Sequence, residues 1–295
     1  MTADADRSSE ARPEILKLAR LLHRDPDSLS YLGALPVDDV RQLREQVTDV
    51  LFSANRRTFA RLAAASKRLP AALNATIAQR AFGPVLAARI TGQLEPSRAV
   101  EVAERLPPSF LADVAVELDP RRASGVIAQI PPEQVAAITG ELVSRDEYVT
   151  MGRFVGHLPD AAIAAALDAS DDRAVLRTGF VLEQKSRLEQ VAELLGPERL
   201  EGVIDAARTD DLWPEALDLL THLKPDRQRQ LIEQALARDE VLESLVQAAE
   251  RHGIWDDVLR LQSVTSDASQ KRFTRFVEER HPELLGRLGP LRRRA

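Results

Sequence analysis

Four pairs of adjacent acids punctuate the chain: Asp38-Asp39, Asp171-Asp172, Asp210-Asp211 and Asp256-Asp257. Adjacent carboxylates suit two tasks. They can hold a divalent cation such as Mg²⁺ through oxygen ligands and waters. They can also cap helices, whose first N–H groups lack partners and whose dipole favours negative charge there. Each pair stands just before or at an expected helix start, and the spacing brings the four to no common cluster. Capping is the preferred reading, and no residue is assigned as a metal ligand. Five histidines (His23, His157, His222, His252 and His281) are scattered, with no zincin, nucleophile-elbow or phosphate-loop pattern around them. His281, with Glu279 and Glu283 nearby, reads as a solvated surface. With no cysteine there is no thiol nucleophile, thiolate zinc site or disulfide framework. No catalytic, cofactor-binding or metal-binding residue is assigned, and the expectation is that the chain is not an enzyme.

Other features carry weaker signals. Trp213 and Trp255 have a reading as partner anchors, but equivalent places in two repeats favour the core. The segment Tyr148–His157 collects Met151, Gly152 and Gly156; internal packing is preferred there over a hinge or docking face. Arg292-Arg293-Arg294 is a basic end, read as a solvated terminus rather than a contact for RNA or anionic lipid. Lys and Arg number 40 against 46 Asp and Glu, a net charge of −6. That balance argues against general nucleic-acid binding, which depends on neutralising phosphates.

The elements that must position these residues emerge from repeats. Prolines stand at 84, 96, 108, 120 and 132, twelve apart each time. Three residues after each come Ala87, Ala99, Leu111, Ala123 and Val135. Six after come Ile90, Val102, Val114, Val126 and Ile138. Ten after come Leu94, Leu106, Leu118, Ile130 and Leu142. Those offsets keep near one face of an α-helix. Each unit is thus a short amphipathic helix opened by proline, which fits the first helical position and ends the helix before it. Asp119, ahead of Pro120, is expected to act as an N-cap. Helices this short are unstable alone in water, so they must stack.

The run Leu94-Glu95-Pro96, Leu106-Pro107-Pro108, Leu118-Asp119-Pro120, Ile130-Pro131-Pro132 resembles the N-terminal domain of MgtE-type magnesium transporters. The middle region of the flagellar protein FliG carries a related pattern. The resemblance covers 84–143 well and 35–83 loosely, where Leu35-Pro36 and Leu69-Pro70 begin similar units. It implies a right-handed superhelix of short helices, a cytosolic setting and a link to Mg²⁺. The CBS and transmembrane domains of those transporters are not expected in this sequence: its second half reads as helix throughout rather than as a β-α mix, and no apolar run approaches the roughly 20 residues of a bilayer span.

A longer period follows. Glu198–Ala207 aligns at a spacing of 42 with Glu240–Ala249, and Trp213, Leu217 and Leu219 align with Trp255, Leu259 and Leu261. That period suits HEAT- or armadillo-like units of two or three helices. A fainter copy runs from Leu158-Pro159-Asp160 to Ser170-Asp171-Asp172. Only 4% of residues are aromatic, as small-residue helix packing requires. The expected organisation is a disordered or weakly ordered tail over 1–30, the MgtE-N-like array over 31–143, a junction over 144–157, a second array over 158–285 and a basic tail over 286–295. The expected fold is all-α, a right-handed superhelix or solenoid. The expected role is a cytoplasmic, non-enzymatic interaction or scaffold module with an unidentified protein partner. The alternative is a protein responsive to Mg²⁺ or another divalent cation.

Overall fold

The computed structural model describes residues 2–53, 56–262 and 265–288. Among these the protein is all-α, with eighteen α-helices, short 3₁₀ segments, one π-helical turn and no strand. It divides into two compact units: residues 1–174 with 181–183, and residues 175–180 with 184–295.

In the first unit the proline rule holds at four of five positions. Helices Gly83–Thr91, Pro96–Ala103, Pro108–Glu117 and Pro132–Ser144 each carry proline at the first or second position. The residue three on is buried in every copy: Ala87, Ala99, Leu111, Ala123 and Val135. Positions six and ten on are looser, with Val102, Ile138, Leu94, Leu106 and Ile130 only partly buried. The copy at Pro120 departs from the pattern. Its only α-helix is the four-residue Ser124–Ile127. Asp119 does not cap a helix there. Its carboxylate accepts the Arg121 backbone N–H at 3.2 Å and takes the guanidinium groups of Arg121 (3.2 Å) and Arg122 (3.3 Å). Asp119 is almost wholly buried, so its charge needs those cations, and they reach it from a turn.

The expected weakly ordered tail is instead helix Thr2–Leu21 followed by the 3₁₀ segment Pro26–Ala34. Ala11, Ile15 and Leu18, spaced for one helical face, pack with Leu32 and Val40. Helices Val37–Ser53 and Ala71–Ile77 follow Pro36 and Pro70. The segment expected as a junction forms helix Tyr148–Phe154 and a 3₁₀ turn, Val155–His157, inside the first unit. There Met151 packs with Ala112 and Leu142. The division between units falls later, at 174–184, within and just after helix Asp172–Phe180.

The second unit follows the period of 42. Helix Leu188–Thr209 is broken at Gly196, and the piece after the break matches Asp239–His252. Trp213–Thr221 matches Trp255–Gln262, and Pro225–Leu236 matches Asp267–Arg280. Each repeat therefore holds three helices. Burial follows the register: Leu200 and Leu242, Ala207 and Ala249, and Trp213 and Trp255 are all buried.

Two junctions share one backbone device. Gly83 (φ 70°, ψ 175°) and Gly196 (φ 75°, ψ 168°) each precede a proline that opens a helix. That region of φ/ψ is open essentially to glycine alone. A Cβ on Gly196 would meet nothing within 4 Å, so substitution there acts through backbone strain. Gly196→Ala is expected to destabilise by about 1–3 kcal/mol. Phe273→Ala, which empties a fully buried core position, is expected to lose about 3–5 kcal/mol. Urea unfolding of both variants measures the two losses.

Candidate functional site

The acidic pairs take separate roles. Asp171 caps helix Asp172–Phe180, its Oδ1 accepting the Ala174 N–H at 2.7 Å. Asp38 and Asp39 lie in the first turn of Val37–Ser53, where Asp38 pairs with Arg41 at 2.9 Å. Asp256 and Asp257 occupy the first turn of Trp255–Gln262. The pair Asp210-Asp211 corrects the capping expectation, because it closes the preceding helix. Asp211 is left-handed (φ 56°) and stands 42 residues before the left-handed Gly253 (φ 68°). Its carboxylate reaches Arg251 at 2.6 Å and His252 at 2.9 Å, tying one repeat to the next. Although burial pushes its pKa up, His252 and Arg251 hold it below the usual carboxylate range. Among the described residues no group of three or more His, Asp or Glu side chains stands placed to hold a metal ion.

The histidines likewise stay apart. His23 contacts Arg20, and His222 contacts Thr221. Burial lowers the pKa of His157 against the opposing pull of Glu183 and Asp119. His281 is not simply solvated. Its Nε2 lies 3.1 Å from Glu243, a partner 38 residues upstream. Trp213 and Trp255 fill the core of the second unit, and the Trp213 indole N–H donates to Ser244 Oγ at 3.0 Å. Arg292, Arg293 and Arg294 lie outside the described residues.

The most concentrated chemistry is a buried ionic knot in the first unit that sequence spacing does not announce. Glu14 and Lys17, both nearly inaccessible, pair at 2.9 Å on the first helix. Arg44 donates to Glu14 at 2.8 Å and to Glu183 at 2.9 Å. Close by in sequence, Arg20 grips Glu147 with two hydrogen bonds of 3.0 and 2.8 Å, and Thr150 Oγ1 donates to the same carboxylate at 3.0 Å. Burial pushes the Glu14 carboxyl up, but Lys17 and Arg44 bring it below its ordinary value. Burial also lowers Lys17, with Glu14 pulling the other way. A cleft lined by Lys17, Arg44, Asp119, Arg121, Arg153 and Glu183 has a free volume of about 10 Å³, near the space of one water. The knot therefore satisfies its own charges and leaves no room for a substrate. The one local signal was that Glu14 and Lys17 flank the apolar face Ala11, Ile15 and Leu18.

A second feature of this unit is exposed apolar surface. Tyr31, Leu35, Leu43, Val50 and Leu51 are all exposed, Tyr31 to 69% and Val50 to 70%. Leu43 and Val50, seven residues apart, share a face of helix Val37–Ser53. Val40, Arg44 and Thr48 of that helix are buried. It thus carries apolar side chains beyond its core-facing stripe.

The short proline-opened helices of this unit lie within a segment that matches a known domain. Residues 82–178 match the MgtE intracellular N domain. The MgtE-N-like segment begins just before Pro84 and ends within helix Asp172–Phe180, so it takes in the whole proline series and the segment 144–157. No curated protein and no solved structure matches the chain. No described helix is long and apolar enough to cross a membrane.

Two outcomes are expected of the charges. Glu14→Gln leaves two buried cations short of a partner and is expected to lose about 3–5 kcal/mol. The double variant Glu14→Leu/Lys17→Met, in which Arg44 keeps Glu183, recovers part of that loss in chemical denaturation. In the second unit Asp205 accepts Arg238 at 2.6 Å, a bond that, together with Arg208 and against burial, lowers its pKa. A depressed carboxylate contributes stability above its unfolded pKa and loses it as pH falls through the folded value. Asp205→Asn is therefore expected to melt earlier than the parent at pH 7. The gap closes on acidification below about pH 4, as thermal melts across pH 3–7 would record.

Proposed function

We propose that the protein is a non-enzymatic, intracellular helical-repeat module that binds another protein. The observation that carries this reading is the exposed apolar face of helix Val37–Ser53, with Leu43 at 38% and Val50 at 70% exposure, beside a buried stripe. Apolar side chains grouped on one helix face suit a partner surface better than they suit water. The match of 82–178 to an intracellular domain supports the setting, and short helices stacked in a superhelix would offer the extended surface that repeat proteins use for binding. The net charge of −6 makes nucleic acid an unfavourable partner. A second reading, a protein responsive to a divalent cation, rests on the same family match.

The double variant Leu43→Lys/Val50→Lys separates surface from scaffold. Its melting temperature is expected to stay near the parent's. Its affinity for a partner identified by cross-linking and rebuilt from purified components is expected to fall by about tenfold or more. Unchanged affinity would remove helix Val37–Ser53 from the interface. A Mg²⁺ titration followed by thermal melting tests the second reading, which needs a saturable rise in stability.

A further inference from the structure

The interior of the second unit is not filled. A cavity of about 140 Å³ lies among the helices of its repeats. Every residue along it is apolar, and none is exposed. The one wall residue with a polar side-chain atom is Trp213, whose indole N–H is already given to Ser244. The space exists because five wall positions are small: Gly179, Ala192, Ala207, Ala216 and Ala235. Gly179 has a local cause, since a Cβ there would come within 3.1 Å of Leu219 Cδ1. Protein interiors normally close to crystal-like density, and an unfilled void of this size is unfavourable.

We propose that this cavity is a binding site for the hydrocarbon chain of a small amphiphile, such as a medium-length acyl chain. The wall offers nothing to a polar ligand, because burying a polar group without a partner is costly. Its volume is close to that of an engineered apolar cavity of about 150 Å³ that admits benzene, so it takes a stretch of about six carbons. Leu195, Leu219, Leu220 and Leu223 line the cavity yet keep partial exposure. At such partly exposed edges the polar end of the amphiphile stays in water. Helix 188–195 supplies one wall through Leu188, Val191, Ala192 and Leu195. It is latched by Glu189, which accepts Arg227 at 2.8 Å and the Lys224 N–H at 3.1 Å. At its other end stands Gly196, with its left-handed φ. The site is independent of the protein-binding face assigned to helix Val37–Ser53.

Octanoate is the probe, with butanoate and toluene as comparisons. Trp213 lines the cavity and Trp255, the only other tryptophan, does not, so intrinsic fluorescence reports occupancy beside calorimetry. Octanoate is expected to bind saturably, shift the emission and raise the melting temperature, while butanoate binds much more weakly. Ala216→Leu and Ala235→Leu, made separately, are each expected to fold with an equal or higher melting temperature. Each should weaken octanoate by about tenfold or more, the scale of one extra methylene in an apolar pocket. Glu189→Gln, which loosens the latch, should retain binding. No saturable response to octanoate in the parent, or an undiminished response in both filled variants, overturns the proposal. Binding of toluene without octanoate overturns it too, since it would mean a sealed void with no outlet for a polar end.

Discussion

Short helices do not hold themselves together in water, and most of the architecture follows from that. Pro96–Ala103 has eight residues and Gly83–Thr91 nine, well below the length at which an isolated helix becomes even marginally stable. Each must recover through neighbours what it lacks in length. The buried position three after each proline is where that happens. A small or aliphatic side chain there lets the next helix come close, and it is the position least tolerant of variation in exposure across the five copies. Positions six and ten vary more, from buried Val114 and Leu118 to partly buried Val102 and Leu94.

Much of this was legible in the chain itself because it depends on local chemistry. Proline at a helix start and an apolar face at fixed offsets both act within a dozen residues. The period of 42 was readable for the same reason, each copy repeating its own Trp, Leu and Ala placements. The failure at Pro120 shows where local reading ends. Asp119 has the right type and position for a cap, but it is buried, and a buried carboxylate is governed by the cations it can reach. Arg121 and Arg122 reach it from the turn that stands where a helix was expected.

The ionic knot and the cavity were not legible, for two different reasons. In the knot, Arg44 joins Glu14 to Glu183, and Arg20 joins Glu147, across 127 or more positions of chain for the longest links. Nothing in the spacing of those residues pairs them, and Glu14 with Lys17 looks like any surface pair one turn apart. The cavity is a deficit rather than a motif. Ala192, Ala207, Ala216 and Ala235 are individually ordinary in a helix, and only the arrangement of the helices that carry them shows that their missing volume falls in one place.

The link from Arg44 to Glu183 also bears on how the first unit comes apart. A row of stacked helices ordinarily frays from its ends, each lost unit exposing only the next. Here the terminal helix is fastened through Glu14 and Arg44 to a residue 139 positions beyond Arg44. Peeling the N-terminus away would strand buried charges at once, so the end resists unzipping and the unit is pressed towards opening as a whole. The same fastening delays assembly, because a loop of that length must close before its ion pairs can form. A module of quick local folders thus acquires a slow final step.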